Sequence, residues 1–214
     1  MVSELTLSQL ICSRVCHDLV GAAGAVNAGV ELLGEDPSDM AAPLELMATS
    51  AQQLTRRLAF FRFVFGSAGG PDSPFAADQI KTLLEDFVAD KKLKLVWDSL
   101  NMADAAPAQQ SACGKLLSAM LLIAIDCLPR GGDARIHVGP VDGGMAVAIE
   151  ASGSSVRFPE DIDIAVHLQQ VNDQLSARNV HAYVAAQLAK SVNGSLEIEV
   201  VDGAVQIACV MSDR

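Results

Sequence analysis

Basic residues are scarce in this chain: 15 lysines and arginines stand against 26 aspartates and glutamates in 214 residues, a formal net charge of -11. Binding a phosphate backbone needs clustered Lys and Arg, so nucleic acid is excluded as the main partner, and protein partners or small ligands are favoured. No apolar run reaches the roughly 18 to 20 residues of a membrane span, and the N-terminus lacks a basic segment followed by an apolar one. There is no CxxC pair. The five cysteines, Cys12, Cys16, Cys113, Cys127 and Cys209, are odd in number and scattered through apolar segments. They are expected to be reduced, buried small hydrophobes in a cytoplasmic protein with no membrane contact. Internal repeats and low-complexity tracts are also missing. What the chain has is apolar content: half of its residues are hydrophobic, enough for the core of one large or two small domains.

Ile11, Val15, Leu19, Ala22, Val26, Val30 and Leu33 recur at spacings of three and four, which predicts an amphipathic helix over about 3–34. At roughly 100° per residue, His17 points about 170° away from that stripe. Gly21, Gly24 and Ala28 share its face. Each glycine inside a helix costs about 1 kcal/mol relative to alanine. Their presence beside a titratable, nucleophilic ring therefore predicts that something must come close. Asp18 follows His17, where it can orient the ring or accept its proton, and Arg14 stands one turn earlier, able to meet acidic groups or to pair with Asp18 on the surface.

Glu35-Asp36-Pro37-Ser38 reads as a turn. Beyond it Leu44, Met47, Ala51, Leu54, Leu58, Phe61 and Phe65 form a heptad seam on a second helix. A hairpin of two long helices leaves much apolar surface uncovered, and pairing two hairpins in a four-helix bundle completes the core, so a homodimer is expected. The stretch 67–74, rich in Gly, Ser and Pro, reads as a linker between a hairpin unit, 1–66, and a second unit, 75–214. In that second unit the pattern predicts helices over 75–92, 109–128, 161–172 and 177–192, and strands at 93–97, 134–138, 145–149, 195–200 and 205–211. The result is an α+β chain whose C-terminal part is an α/β sandwich, a mixed sheet covered on one face by helices. His137, His167 and His181 have no second ligand at metal spacing and are read as structural, and no metal site is expected.

An exposed His-Asp pair on a dimerising hairpin, followed by elements in this order, resembles the core of two-component sensor histidine kinases with their Bergerat-type ATPase domain. The nucleotide motifs of that family are lost. Counting back from Pro129-Arg130-Gly131-Gly132, the magnesium-binding asparagine is replaced by Ile123. Ala151 stands where an aspartate reads adenine, and Arg178-Asn179-Val180-His181 replaces a glycine-rich phosphate loop. A kinase architecture with a kept histidine and an erased nucleotide site resembles the dimeric histidine phosphotransferases of the ChpT type, as do the Cys-His-Asp-Leu-Val run, Val26 to Leu33 and the Pro129–Gly132 turn. Ala22 departs from it, since a proline is common there.

The resemblance implies a relay. His17 would accept a phosphoryl group from the receiver domain of a hybrid histidine kinase and pass it to response regulators of the CtrA kind. Asp18 would serve as orienter or general base, Arg14, Gly21 and Gly24 would meet the receiver, and magnesium would come from the receiver's acidic residues, with no ATP and no cofactor of the chain's own. Two other readings stand beside it: a non-phosphorylated dimeric adaptor that docks on receivers or kinases, and a divergent ATP-using kinase.

Overall fold

The long N-terminal stripe folds as one continuous helix. The computed structural model describes residues 4–35, 40–70, 74–103 and 105–212. In it α1 runs Glu4–Glu35 and α2 runs Ala41–Val64. The expected turn at 35–38 falls, beyond Glu35, outside the described residues. Ala22 and Gly29 are buried against α2, where a side chain on Gly29 would collide with Met47. With alanine at position 22 the helix passes this point unbroken.

The end of α2 carries four large apolar side chains into a common core with the rest of the chain. Phe60, Phe61, Phe63 and Val64 are buried, and the Phe60 ring stacks on Phe87 of α3 (Ala77–Val88) with centroids 3.6 Å apart. Between the two helices, Gly69 is buried at φ 72°, where any side chain would strike Phe63. The part of the expected linker at 71–73 lies outside the described residues.

The remaining elements are β1 (Leu93–Leu100), α4 (Pro107–Cys127), β2 (Gly132–Val141), β3 (Gly144–Ser152), α5 (Glu160–His167), α6 (Val180–Ser191), β4 (Glu197–Val201) and β5 (Ala204–Ser212). The strands form one sheet in the order β1-β2-β3-β5-β4, with β1 parallel to β2 and every other pair antiparallel. Alternation sets the two faces. Ala134, Ile136 and Val138 of β2 and Met145, Val147, Ile149 and Ala151 of β3 are buried. Arg135 on the opposite face pairs with Asp98 and reaches toward Glu150. The apolar face is covered by α4, a helix long and apolar enough by composition to cross a membrane but largely buried inside this fold. Its turn into β2 needs Gly131, which has φ 84° and no room for a Cβ beside Lys92.

Two expectations are corrected. The helix predicted over 161–172 stops at His167, because Leu168 is extended at φ -62°, ψ 130° and the following segment is organised by side-chain hydrogen bonds rather than by helical ones. Of the cysteines, Cys113, Cys127 and Cys209 are buried, and burial pushes their thiols up to about 12, about 12 and about 11. Cys12 and Cys16 are exposed on the outer side of α1, so they do not pack in this chain's core.

Candidate functional site

His17 stands out from α1 with its side chain 82% exposed. Among the described residues its one polar contact is to the next residue: Asp18 Oδ1 lies 3.0 Å from His17 Nδ1. A carboxylate only accepts, so Nδ1 carries the proton and Nε2 keeps its lone pair, aimed at solvent. The geometry therefore selects which nitrogen is nucleophilic.

Asp18 is itself held from behind. Its second oxygen, Oδ2, accepts from Arg14 Nε at 2.9 Å, and its backbone carbonyl accepts from Arg57 Nη1 of α2 at 2.7 Å. The expected Arg14–Asp18 pair at i and i+4 exists, but it is not a surface pair: the Arg14 side chain is only 14% exposed. Arg14 Nη1 also donates to the Arg178 carbonyl at 2.8 Å and lies 3.3 Å from Nδ1 of His181, which opens α6. On the other side Arg57 Nη2 meets Asp90 Oδ2 at 2.8 Å, and Gln53 donates to the same carboxylate. Burial of Asp90 opposes its charge, but the hydrogen bond and charge of Arg57, with Lys91 and Gln53, outweigh it and hold the carboxyl below its usual range. Two arginines thus fasten the His-Asp pair to the α/β sandwich.

Gly21 and Gly24 follow His17 along the exposed side of α1, and a Cβ on either would meet no atom of the chain within 4 Å. Neither glycine is required by the packing of this chain. Arg14, Asp126, Arg157, Asp161 and Arg178 line a cleft of about 350 Å³ beside α1. The guanidinium groups of Arg157 and Arg178 make no ion pair among the described residues. Sequence reading missed Arg57, Asp90, Asp126 and the contact of His181. Their partners are 33 or more residues away along the chain, so no local spacing signals them.

The positions of the lost nucleotide motifs are filled. Ile123 and Ala151 are fully buried, the latter paired across the sheet with Ala134 and Val205. Asn179 sits where a phosphate loop would open. Its Oδ1 accepts from the backbone and hydroxyl of Ser176 at 2.8 and 3.2 Å, and its Nδ2 donates to the carbonyls of Asp161 and Gln174. Ile123 and Ala151 thus offer no oxygen ligand from their side chains, and the Asn179 side chain is engaged within the chain. Among the described residues no cluster of His, Cys, Asp or Glu is placed to hold a metal ion.

Comparison with known proteins places the chain. Residues 77–204 match the histidine phosphotransferase C-terminal domain family. The protein phosphotransferase ChpT of Brucella abortus (strain 2308) is 29% identical over 198 residues, covering 92% of this chain and 91% of that protein. A solved bacterial phosphotransferase structure superposes with a TM-score of 0.80 at 26% identity, over 98% of both chains. A helical hairpin bearing an oriented histidine, an α/β sandwich behind it and this likeness along nearly the whole length agree, and the chain belongs to the ChpT-type histidine phosphotransferases of two-component signalling.

Proposed function

We propose that the chain is the middle carrier of a phosphorelay, with His17 as its phosphoacceptor. The observation that carries this reading is the orientation of one ring: His17 is open to solvent and held through Nδ1 by an Asp18 that is fixed in turn. The lone pair of His17 Nε2 attacks the phosphorus of an aspartyl phosphate on the receiver domain of a hybrid histidine kinase. The bond from phosphorus to the aspartyl oxygen breaks, the carboxylate leaves, and a phosphoramidate forms on Nε2. The ring then bears positive charge with its proton on Nδ1, and the Asp18 carboxylate stabilises it. Reversal onto the aspartate of a response regulator, of the CtrA kind by resemblance, completes the relay.

Magnesium comes with the receiver, whose carboxylates supply its oxygen ligands, and the chain uses no ATP. The filled positions at Ile123, Ala151 and Asn179 support that reading. Gly21 and Gly24 leave room for the receiver's loops, and Arg157 and Arg178, which line the cleft beside Arg14, Asp126 and Asp161 and make no ion pair among the described residues, offer positive charge to its acidic pocket. The hairpin, 1–66, is the phosphotransfer and dimerisation unit, and 75–214 is a docking unit. The homodimer is supported by Leu44, Ala51 and Leu58, spaced by seven on α2 and exposed in the single chain.

The test is transfer from a phosphorylated receiver domain, without ATP, to the wild type and to His17→Ala, read by mass spectrometry under alkaline conditions. Label at His17 in the wild type and none in His17→Ala is expected. Receiver binding with no label in either protein would make the chain an adaptor. Labelling from ATP alone would make it a kinase.

A further inference from the structure

Behind Asp18 lie two residues that the reaction above does not use, His181 and Asp126. His181 is fully buried in the first turn of α6. Its Nδ1 is 3.3 Å from Arg14 Nη1, and its Nε2 is 3.1 Å from Asp126 Oδ2 at the end of α4. A guanidinium has donors only, so Nδ1 must be the accepting nitrogen and the ring proton must sit on Nε2, beside the Asp126 carboxylate. Asp126 lies off the line of that N–H, which has no aligned acceptor and is closed to solvent. The opposite tautomer would turn an N–H against the Arg14 cation and a lone pair against the Asp126 anion. Both contacts would be repulsive.

We infer that His181 and Asp126 are positioning residues for phosphoryl transfer, acting on His17 through Arg14 and Asp18. Asp126 fixes the His181 tautomer, the His181 lone pair holds the Arg14 fork, and Arg14 Nε holds Asp18 Oδ2. Asp18 Oδ1 then keeps the proton of His17 on Nδ1 and leaves Nε2 bare. An arginine has many rotamers and loses side-chain entropy when fixed, so each anchor on Arg14 sharpens where Asp18 points. Four side chains from α1, α4 and α6 thereby set the nucleophilic nitrogen of a fifth, and the sandwich contributes to the chemistry without touching the phosphoryl group.

This rests on His17 as phosphoacceptor, and the variants separate the two claims. His181→Leu removes the acceptor for Arg14, and Asp126→Asn removes the charge that fixes the tautomer while keeping the shape. His181→Asn places its Oδ1 near the former Nδ1 and restores an acceptor. With a phosphorylated receiver as donor at saturating concentration, so that a change of docking at Asp126 does not enter the rate, His181→Leu and Asp126→Asn are expected to transfer about tenfold more slowly, and His181→Asn to recover most of the rate. Long-range proton–nitrogen spectra should show the His17 ring moving from a single Nδ1–H tautomer in the wild type toward a mixture in the two slow variants.

Wild-type rates and an unchanged His17 tautomer in Asp126→Asn and His181→Leu would overturn the inference. So would a His181→Asn that is as slow as His181→Leu. Should His181→Leu fail to fold, Asp126→Asn decides alone, because Asp126 is partly exposed. If His17→Ala is dead while these variants transfer at full rate, only this inference falls. If His17→Ala is still labelled, the proposed function falls first.

Discussion

At the scale of single residues, His17 was legible because periodicity needs no partner: an imidazole opposite an apolar stripe must face outward, and it does. Arg14 was legible only in half. Its pair with Asp18 is local, four residues apart, whereas its contacts with Arg178 and His181 span 164 and 167 residues and leave no pattern in the chain. The two glycines give the sharpest test at this scale. A Cβ at position 24 meets no atom of the described residues within 4 Å on this exposed side of α1, so Gly24→Leu should fold and raise helix stability by up to about 1 kcal/mol. It should also slow phosphotransfer by blocking the receiver. A thermal melt and a transfer assay on the same variant check both halves, and a variant that is stable and fully active would remove Gly24 from the docking surface.

At the scale of elements, the strongly periodic segments were read to within a few residues: α1, α4 and α6 carry enough apolar positions to define themselves. The end of the helix expected over 161–172 was misread, because Leu168 and Val171 continue a helical spacing while the backbone beyond His167 is shaped by the Asn172, Ser176 and Asn179 side chains. The exposure of Cys12 and Cys16 was missed for a related reason. Small hydrophobes on a helix flank face inward or outward according to the partner element, which the sequence does not specify. The α2 seam splits the same way: Phe61 is buried within the chain, but Leu44 and Leu58 are 47% and 48% exposed. In the proposed dimer, Leu58→Glu should leave the hairpin folded and shift the protein to monomer in sedimentation, since it would set like charges against each other in the dimer core. A dimer of undiminished strength would place the contact on another face.

At the scale of the whole molecule, the hairpin and the sandwich are joined by more than chain connectivity. Arg57 links the backbone of Asp18 to Asp90, just beyond α3, and Arg14 links Asp18 to the start of α6. Because Asp90 holds its proton less readily here than in the unfolded chain, the unfolded state binds more protons between the two values. This contribution to stability is fully present above the ordinary carboxylate value and is lost as pH falls through the lowered one. Thermal melts from about pH 7 down to about pH 3 should therefore show Asp90→Asn less stable than wild type at neutral pH, with the gap closing toward acid. A gap independent of pH would show that the carboxylate's charge is not what matters.

With His17 as the proposed phosphoacceptor, its openness would set how long the molecule can remember a signal. Among the described residues His17 has no polar contact but the one to Asp18, and its side chain is 82% exposed, so a phosphoryl group resting there would be as accessible to water as to a partner. Such a carrier does not store. Its output follows its input on the timescale of encounters with the next protein, and what it fails to hand on promptly drains away.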